Sequence, residues 1–409
     1  MALDPREGRA LWPMLFALTT AFALSQAWRT VGGIMAGPLQ TDFGLSAQAL
    51  GVFAGAFHFA FGAMQLFMGI GIDLHGVRRT LLTTFPVAIA GSVLSALATS
   101  YPALVCGQVL IGIGCAPAFL VCTVFIARHF PASRFAAVSG ITMGLGGIGM
   151  LITGTPLAWL IEATSWRMGF AVLGALAALS WLVIWRWVHE PTLAHGSAPR
   201  APQESLRQAV VNFGALFLMP QTLGIMLLSS VGYASFITLR GLWLGPMLMA
   251  RHDFSLVQAG NVAFVMSLAS LLASPLFGRL DPGLTHRRSW IIGFSFLRAG
   301  LFAVFAFTHS PLIDVLGPIV IGLLSGSLIL QYADVRSAYP AAITGRAMAA
   351  FTMAMFLGIA AMQWLTGVAA SSAAAYGIDP FTAVLASIAV LLTAGAVAFV
   401  LLPGPARAD

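Results

Sequence analysis

Long apolar runs separated by short polar stretches set the pattern of this chain. Twelve runs read as spans, at approximately 11–36, 47–71, 80–99, 102–127, 136–160, 166–188, 218–246, 258–279, 288–308, 311–333, 345–370 and 380–403. A helix crosses a bilayer with about 20 apolar residues at 1.5 Å each. The runs are continuous rather than alternating, which fits helices and not barrel strands. The expected fold class is an all-α membrane protein with twelve transmembrane helices. Arg6 and Arg9 precede the first run. That run is too long for a signal-peptide core and reads as a retained span.

The longest hydrophilic stretch, Glu190 to about Asn212, falls near the midpoint and holds Pro191, Ser197, Pro199, Pro202 and Ser205. That is the composition of a linker. Leu206, Val210, Phe213 and Phe217 then follow helical spacing, with Glu204, Gln208 and Asn212 opposite, the pattern of a short interfacial helix. The expected division is 1–189, a first six-helix bundle; 190–217, a cytoplasmic linker; and 218–409, a second bundle. The halves echo each other. Asp73 and Asp281 are 208 apart; Arg78 and Arg287, and Pro131 and Pro340, are 209 apart; Asp42 and Asp253, and Arg29 and Arg240, are 211 apart. Two pseudo-symmetric bundles follow, with a ligand expected at their interface.

Composition narrows the class further. Charged residues are 8% of 409, against about 25% in soluble domains. So few cannot cover a water-facing surface, which excludes a soluble enzyme, a nucleic-acid binder and a disordered chain. The net charge is +7, and all 20 basic residues are Arg, scattered between the runs. Fifteen fall on one side of the expected membrane and two, Arg167 and Arg251, on the other; Arg29, Arg240 and Arg298 lie inside spans. The positive-inside rule puts the fifteen, and both termini, in the cytoplasm of a multi-pass inner-membrane protein. Cys106, Cys115 and Cys122 share one apolar run, so neither disulfides nor a metal site are expected. No zinc-protease, nucleophile-elbow or phosphate-loop motif is present, and neither enzyme activity nor a cofactor is expected.

Between spans two and three lies Gly69-x-x-x-Asp73-x-x-Gly76-x-Arg78-Arg79. With twelve spans, two halves and a degenerate second copy (Gly278-x-x-Asp281, Arg287-Arg288), the chain resembles the major facilitator superfamily along its whole length. Leu74 and Val77 depart from the fuller family form. The resemblance implies that Asp73, Arg78, Arg79, Asp281 and Arg287 act in cytoplasmic gating. Glycines make the turn, and the carboxylate meets helix N-termini and arginines.

Arg29 lies deep in span one and Arg240 at the matching place in span seven, with no carboxylate inside either span. An intramembrane guanidinium costs about 2.5–3.5 kcal/mol on insertion scales and normally faces a cavity or a partner. Two of them would clamp a carboxylate or phosphate. The competing reading has one or both bonded to backbone carbonyls. The pair also resembles the organic-anion and organophosphate branches of the superfamily, implying an anionic substrate between Arg29 and Arg240. His58, Tyr233, Gln331 and Gln363 are further candidates for substrate contact, with Tyr233 and Trp243 expected to bracket Arg240. Arg298 reads as structural. Gly140, Gly144, Gly146 and Gly149 in span five permit close helix approach. No Asp or Glu lies mid-span, so coupling to a proton must use His58 or the substrate itself, unless a counter-anion is exchanged or coupling is absent. The expected function is secondary transport of a small organic anion, as a symporter acting as a monomer in the lipid bilayer. The alternative is a drug or hydrophobic-compound exporter of the same superfamily, which the broken Gly154-Thr155-Pro156 signature and the two arginines count against.

Overall fold

The computed structural model describes residues 5–131, 134–189, 206–340 and 343–404. The linker residues 190–205, Glu204 included, and the side chain of Asp73 lie outside the described residues. The first span is a broken rod, α1 (Pro5–Thr30) and α2 (Gly32–Phe43). Spans two and three form one element, α3 (Ala47–Ala96), interrupted at Gly76, whose φ of 82° and ψ of 171° suit glycine alone. That conformation accounts for the glycine in the loop motif. Span four is α4 (Tyr101–Cys115) and α5 (Ala118–His129), broken at Pro117; span five is α6 (Phe135–Ile152) and α7 (Thr155–Ala163), broken at Thr153–Gly154; span six is α8 (Trp166–Trp187). A short helix, α9 (Leu206–Ala215), precedes the second half.

Span seven comprises α10 (Pro220–Thr238), a wide π turn over Leu239–Trp243, and α11 (Leu244–His252). Then come α12 (Leu256–Arg279), α13 (Arg287–Phe307), the broken pair α14 (Pro311–Ser325) and α15 (Leu328–Ala338), α16 (Thr344–Ala375) and α17 (Pro380–Leu401). Eleven helices among the described residues are long and apolar enough to span a membrane. The α1–α2 rod, with Gln26 and Arg29 buried in it, supplies the twelfth path of the two-bundle fold.

The caps set the symmetry register. Ser46 accepts from Ala49 N to start α3, and Ser255 accepts from Gln258 N to start α12. Gly44 and Asp253 adopt left-handed backbone (φ 60° and 54°) at the ends of α2 and α11. Both pairs are 209 apart, so Asp253 is the counterpart of Gly44 and not of Asp42. An offset of 211 at the arginines is therefore a slip of two positions.

The bundles meet on the face opposite the chain termini, where arginine is scarce. There α2 packs against α11 and the π turn, α7 against α12, and the later half of α16 against the start of α3. A Cβ on Gly51 would strike Gln363 O, and one on Gly154 would come within 2.9 Å of Phe264. Toward the arginine-rich face, α5 and α15 pack chiefly within their own bundles.

Candidate functional site

Spans one and seven cross backbone against backbone beside the two arginines. A Cβ on Gly32 would lie 2.8 Å from Gly241 O, one on Gly33 2.5 Å from Arg240 O, and one on Gly241 2.9 Å from Arg29 O. Small residues allow this approach. The π turn begins one residue before Arg240. Such turns insert a residue and redirect the side chains around them.

Arg29 is 7% exposed. Its guanidinium carbon lies 4.7 Å from the ring centres of both Phe61 on α3 and Phe356 on α16, one ring from each bundle. The Tyr233 side chain lies beside it, and Tyr332 and Cys115 share its electrostatic surroundings. Among the described residues it forms no ion pair, and its Nε has no hydrogen-bond acceptor. Two aromatic faces hold a cation without neutralising it. His58 stacks on Phe356 with centroids 6.2 Å apart. Its Nδ1 lies 3.1 Å from Ala54 O, which assigns the proton to Nδ1 and leaves Nε2 a buried, unpartnered acceptor. Gln363 sits beside the His58 ring, yet both atoms of its amide lack good hydrogen-bond partners. Gln331 packs on Gly232, next to Tyr233, and its Oε1 is also unpartnered. Buried polar atoms are normally satisfied by protein, water or ligand. Gln331 faces the interior of the second bundle with Ile225, Ile291 and Phe399, so the structure does not bring it to Arg29. His58 and Gln363 are the two side chains near this cation whose polar atoms lack partners among the described residues.

Arg240 is placed otherwise. It is fully buried. Its Nε donates to Ala263 O (3.0 Å) and Ser267 Oγ (2.8 Å) on α12, and its Nη2 to Met150 O (2.9 Å) on α6 of the other bundle. This is the carbonyl-bonded arrangement, and the two guanidinium groups do not come together in this conformation. Register explains the separation. At an offset of 209, Phe61 corresponds to Ser270 and Phe356 to Gly147. Arg240 instead reaches Ser267 and Met150, nearly a helical turn closer to the arginine-poor face. Tyr233 lies with Arg29 rather than Arg240, and Trp243 donates to Thr366 Oγ1 (2.9 Å) on α16. The expected bracket around Arg240 is absent, since Tyr233 and Trp243 are engaged with Arg29 and Thr366. Arg298 donates to Gly232 O (3.0 Å) and fixes the backbone before Tyr233.

In the loop between α12 and α13, Arg287 holds Asp281 through Nη2–Oδ2 (2.7 Å) and Nε–Oδ1 (3.0 Å), and Gly283 N adds a bond at 3.1 Å. Arg287 keeps the Asp281 carboxyl below the ordinary carboxylate range. Its Nη1 also reaches Ala333 O (3.3 Å) on α15, so this loop is tied within its own bundle. Arg78 Nη2 donates to Trp185 O (3.0 Å) on α8, and Arg79 is exposed.

Sequence reasoning missed Phe61, Phe356 and Tyr332. Phe61 follows His58 by three positions on one helix face, a signal that was readable. Phe356 comes from span eleven and declares itself only through packing.

A sequence model described as Major Facilitator Superfamily matches residues 17–363. A probable sugar efflux transporter of Helicobacter pylori is 27% identical over 205 residues, 50% of this chain and 49% of that protein. A hexuronate transporter of Bacillus subtilis is 24% identical over 198 residues, 48% of this chain and 44% of that one. A probable sulfoacetate transporter of Cupriavidus necator is 30% identical over 152 residues, 37% and 35% of the two chains. The chain spans about half the length, or less, of the curated relatives it matches. The solved nucleoside transporter NupG superimposes with a TM-score of 0.76 at 19% identity, covering 96% of this chain and 98% of that one. An inward-facing, occupied bacterial homologue of the lysosomal transporter Spinster gives 0.69 at 18% identity, covering 98% and 96%. At these identities the structures speak for the fold alone.

Proposed function

The chain belongs to the Major Facilitator Superfamily, and from that premise we propose that it carries a small organic anion across the membrane by alternating access, with the acid group held at Arg29. One observation carries the reading: a buried guanidinium between two aromatic rings, without a carboxylate, surrounded by polar atoms lacking partners. An incoming carboxylate, sulfonate or phosphate supplies the missing charge and accepts from the guanidinium. His58 Nε2 accepts from a hydroxyl of the same solute, and Gln363 offers both a donor and an acceptor. Tyr233 orients the anion against Arg29. Arg240 serves the cycle differently, bonding one bundle to the other while the arginine-poor mouth is shut. The hexuronate and sulfoacetate carriers among the relatives agree with an acidic solute.

By the positive-inside rule the arginine-rich face is cytoplasmic and the protein sits in the inner membrane. In this reading the closed seam lies on the opposite side, and the bundles part toward the cytoplasm. The working units are residues 1–189 and 218–409, joined by 190–217, in a monomer. The loops carrying Asp73, Arg78 and Arg79, and Asp281 with Arg287, meet when the cytoplasmic mouth closes. The aromatic wall of Phe61, Phe356, Tyr233 and Tyr332 also suits an exported apolar compound or sugar, and the sugar efflux relatives favour that second reading.

The test is a thermal-shift screen of the purified protein against mono- and dicarboxylates, phosphate esters, sulfonates and neutral sugars. A ligand at 100 times its Kd stabilises by about 2.7 kcal/mol. Stabilisation by one anion class, abolished in Arg29→Gln, is expected. Equal stabilisation of wild type and variant, or a response to neutral compounds alone, contradicts the anion site.

A further inference from the structure

The arginine-poor end of the second bundle holds a buried ionic cluster that the transport site does not use. Arg251 and His252 end α11. Arg251 donates through Nε to Asp379 Oδ2 (3.1 Å) and through Nη1 to Asp314 Oδ2 (3.4 Å). His252 Nε2 lies 2.8 Å from the same Asp314 oxygen. Asp314, in the first turn of α14, is wholly buried, and its Oδ1 has no partner among the described residues.

Asp379 is differently placed. It caps α17, accepting from Phe381 N (3.2 Å), Thr382 N (3.1 Å) and Thr382 Oγ1 (3.0 Å). Burial disfavours its charge, but the bonds from Arg251 and Thr382 prevail and hold its carboxyl below the ordinary range. Asp379 therefore stays ionised and takes up the charge of Arg251.

The remaining groups around the cluster are accounted for. His309 is half-exposed, with Nε2 3.8 Å from Asp379. Asp253 is exposed at the end of α11. On α2, packed against α11, Asp42 is bound by Trp166 Nε1 (2.7 Å) and Arg167 Nη1 (3.0 Å). One arginine faces two carboxylates, so with both histidines neutral the cluster has one uncompensated negative charge. A buried charge of that kind is costly until it is paired. Adding one proton to His252 completes a charge-assisted bond to Asp314 and neutralises the cluster.

The position of the cluster gives that proton a mechanical effect. At one end, α11 joins the π turn at Leu239–Trp243. The far end of α11 is moored to α14 and α17 through Arg251 and His252, and its side packs on α2 across the closed seam. We propose that His252 and Asp314 form a proton-binding site at the arginine-poor mouth, and that loading it pins α11 and closes that mouth. This rests on the carrier reading and supplies the proton route that no mid-span carboxylate provides.

The test uses the full chain in nanodiscs, with Cys106→Ser and spin labels at Thr41→Cys and Ala250→Cys, both exposed positions across the seam. Distances are measured between about pH 5 and pH 8, where histidine titrates. The closed-to-open ratio should fall about tenfold as pH rises. The change should vanish in His252→Gln and in Asp314→Asn. His252→Arg should remain closed throughout. A wild-type distribution that ignores pH, a full response surviving in His252→Gln, or an opening of His252→Arg at high pH overturns the site. No anion enters this measurement. Loss of anion binding at Arg29 would therefore leave it standing, and its own failure would leave the Arg29 site untouched.

Discussion

Arg29 and Arg240 occupy comparable places in the two bundles and have opposite surroundings. Each reaches the second helix of its own bundle and the fifth-position helix of the other. Arg29 finds two phenyl rings there; Arg240 finds two carbonyls and a hydroxyl. Arg240 spends three hydrogen bonds on protein atoms and keeps only Nη1 unpartnered, while Arg29 is held mainly by ring faces and Tyr233, with its Nε unpartnered among the described residues. The two cations sit on corresponding helices two positions out of register, and the side chains facing each decide what it bonds to.

The largest expected contrast is in stability without ligand. Arg240→Gln should destabilise by about 2–3 kcal/mol, the range for hydrogen bonds to a charged group whose buried acceptors are left behind. Arg29→Gln should change stability by less than about 1 kcal/mol, since a lost cation–π contact is offset by relief of a buried unpaired charge. Chemical denaturation in detergent measures both, and equal losses would erase the distinction.

The seam between the arginines offers a sharper intervention. Gly33→Ala places a Cβ 2.5 Å from Arg240 O, and such overpacking costs about 1–3 kcal/mol. The arginine-poor mouth should loosen. A membrane-impermeant thiol reagent should label Met247→Cys, buried on α11, about tenfold faster in that background.

Much of the architecture was legible in the chain. Hydropathy marks the spans, the arginines mark the faces, and the 209 offsets mark the repeat. The two-arginine clamp was not readable as it stands. An offset of 211 looked like symmetry, but the caps run at 209, so Arg240 stands two positions from the counterpart of Arg29. Phe356 was invisible for another reason: nothing in span eleven distinguishes it from other apolar residues until α16 packs against α3. His58 and Gln363 were legible because polar side chains in apolar runs are rare.

Smaller effects refine the Arg29 side of the contrast. Tyr233→Phe removes the hydroxyl beside the guanidinium and should weaken anion binding about three- to tenfold, near 1 kcal/mol, with stability unchanged. Equilibrium titration of the best anion reads this directly.

The smallest effect concerns the loop pair. The folded-state pKa of Asp281 is depressed by Arg287. Its contribution is therefore present above the ordinary carboxylate range and is lost as pH falls through the folded value. Wild type should lose its advantage over Arg287→Gln below about pH 4, as followed by thermal unfolding across pH. An advantage that persisted or grew on acidification would assign the pair no such role.

The division between a solute-binding and a bundle-joining arginine is tested most directly by calorimetric titration of the stabilising anion into wild type, Arg29→Gln and Arg240→Gln. Binding should weaken by at least about a hundredfold in Arg29→Gln, the loss of near 3 kcal/mol expected for a charged hydrogen-bonded contact, and by less than about tenfold in Arg240→Gln. Comparable losses in the two variants, or a larger loss at Arg240, would contradict the account.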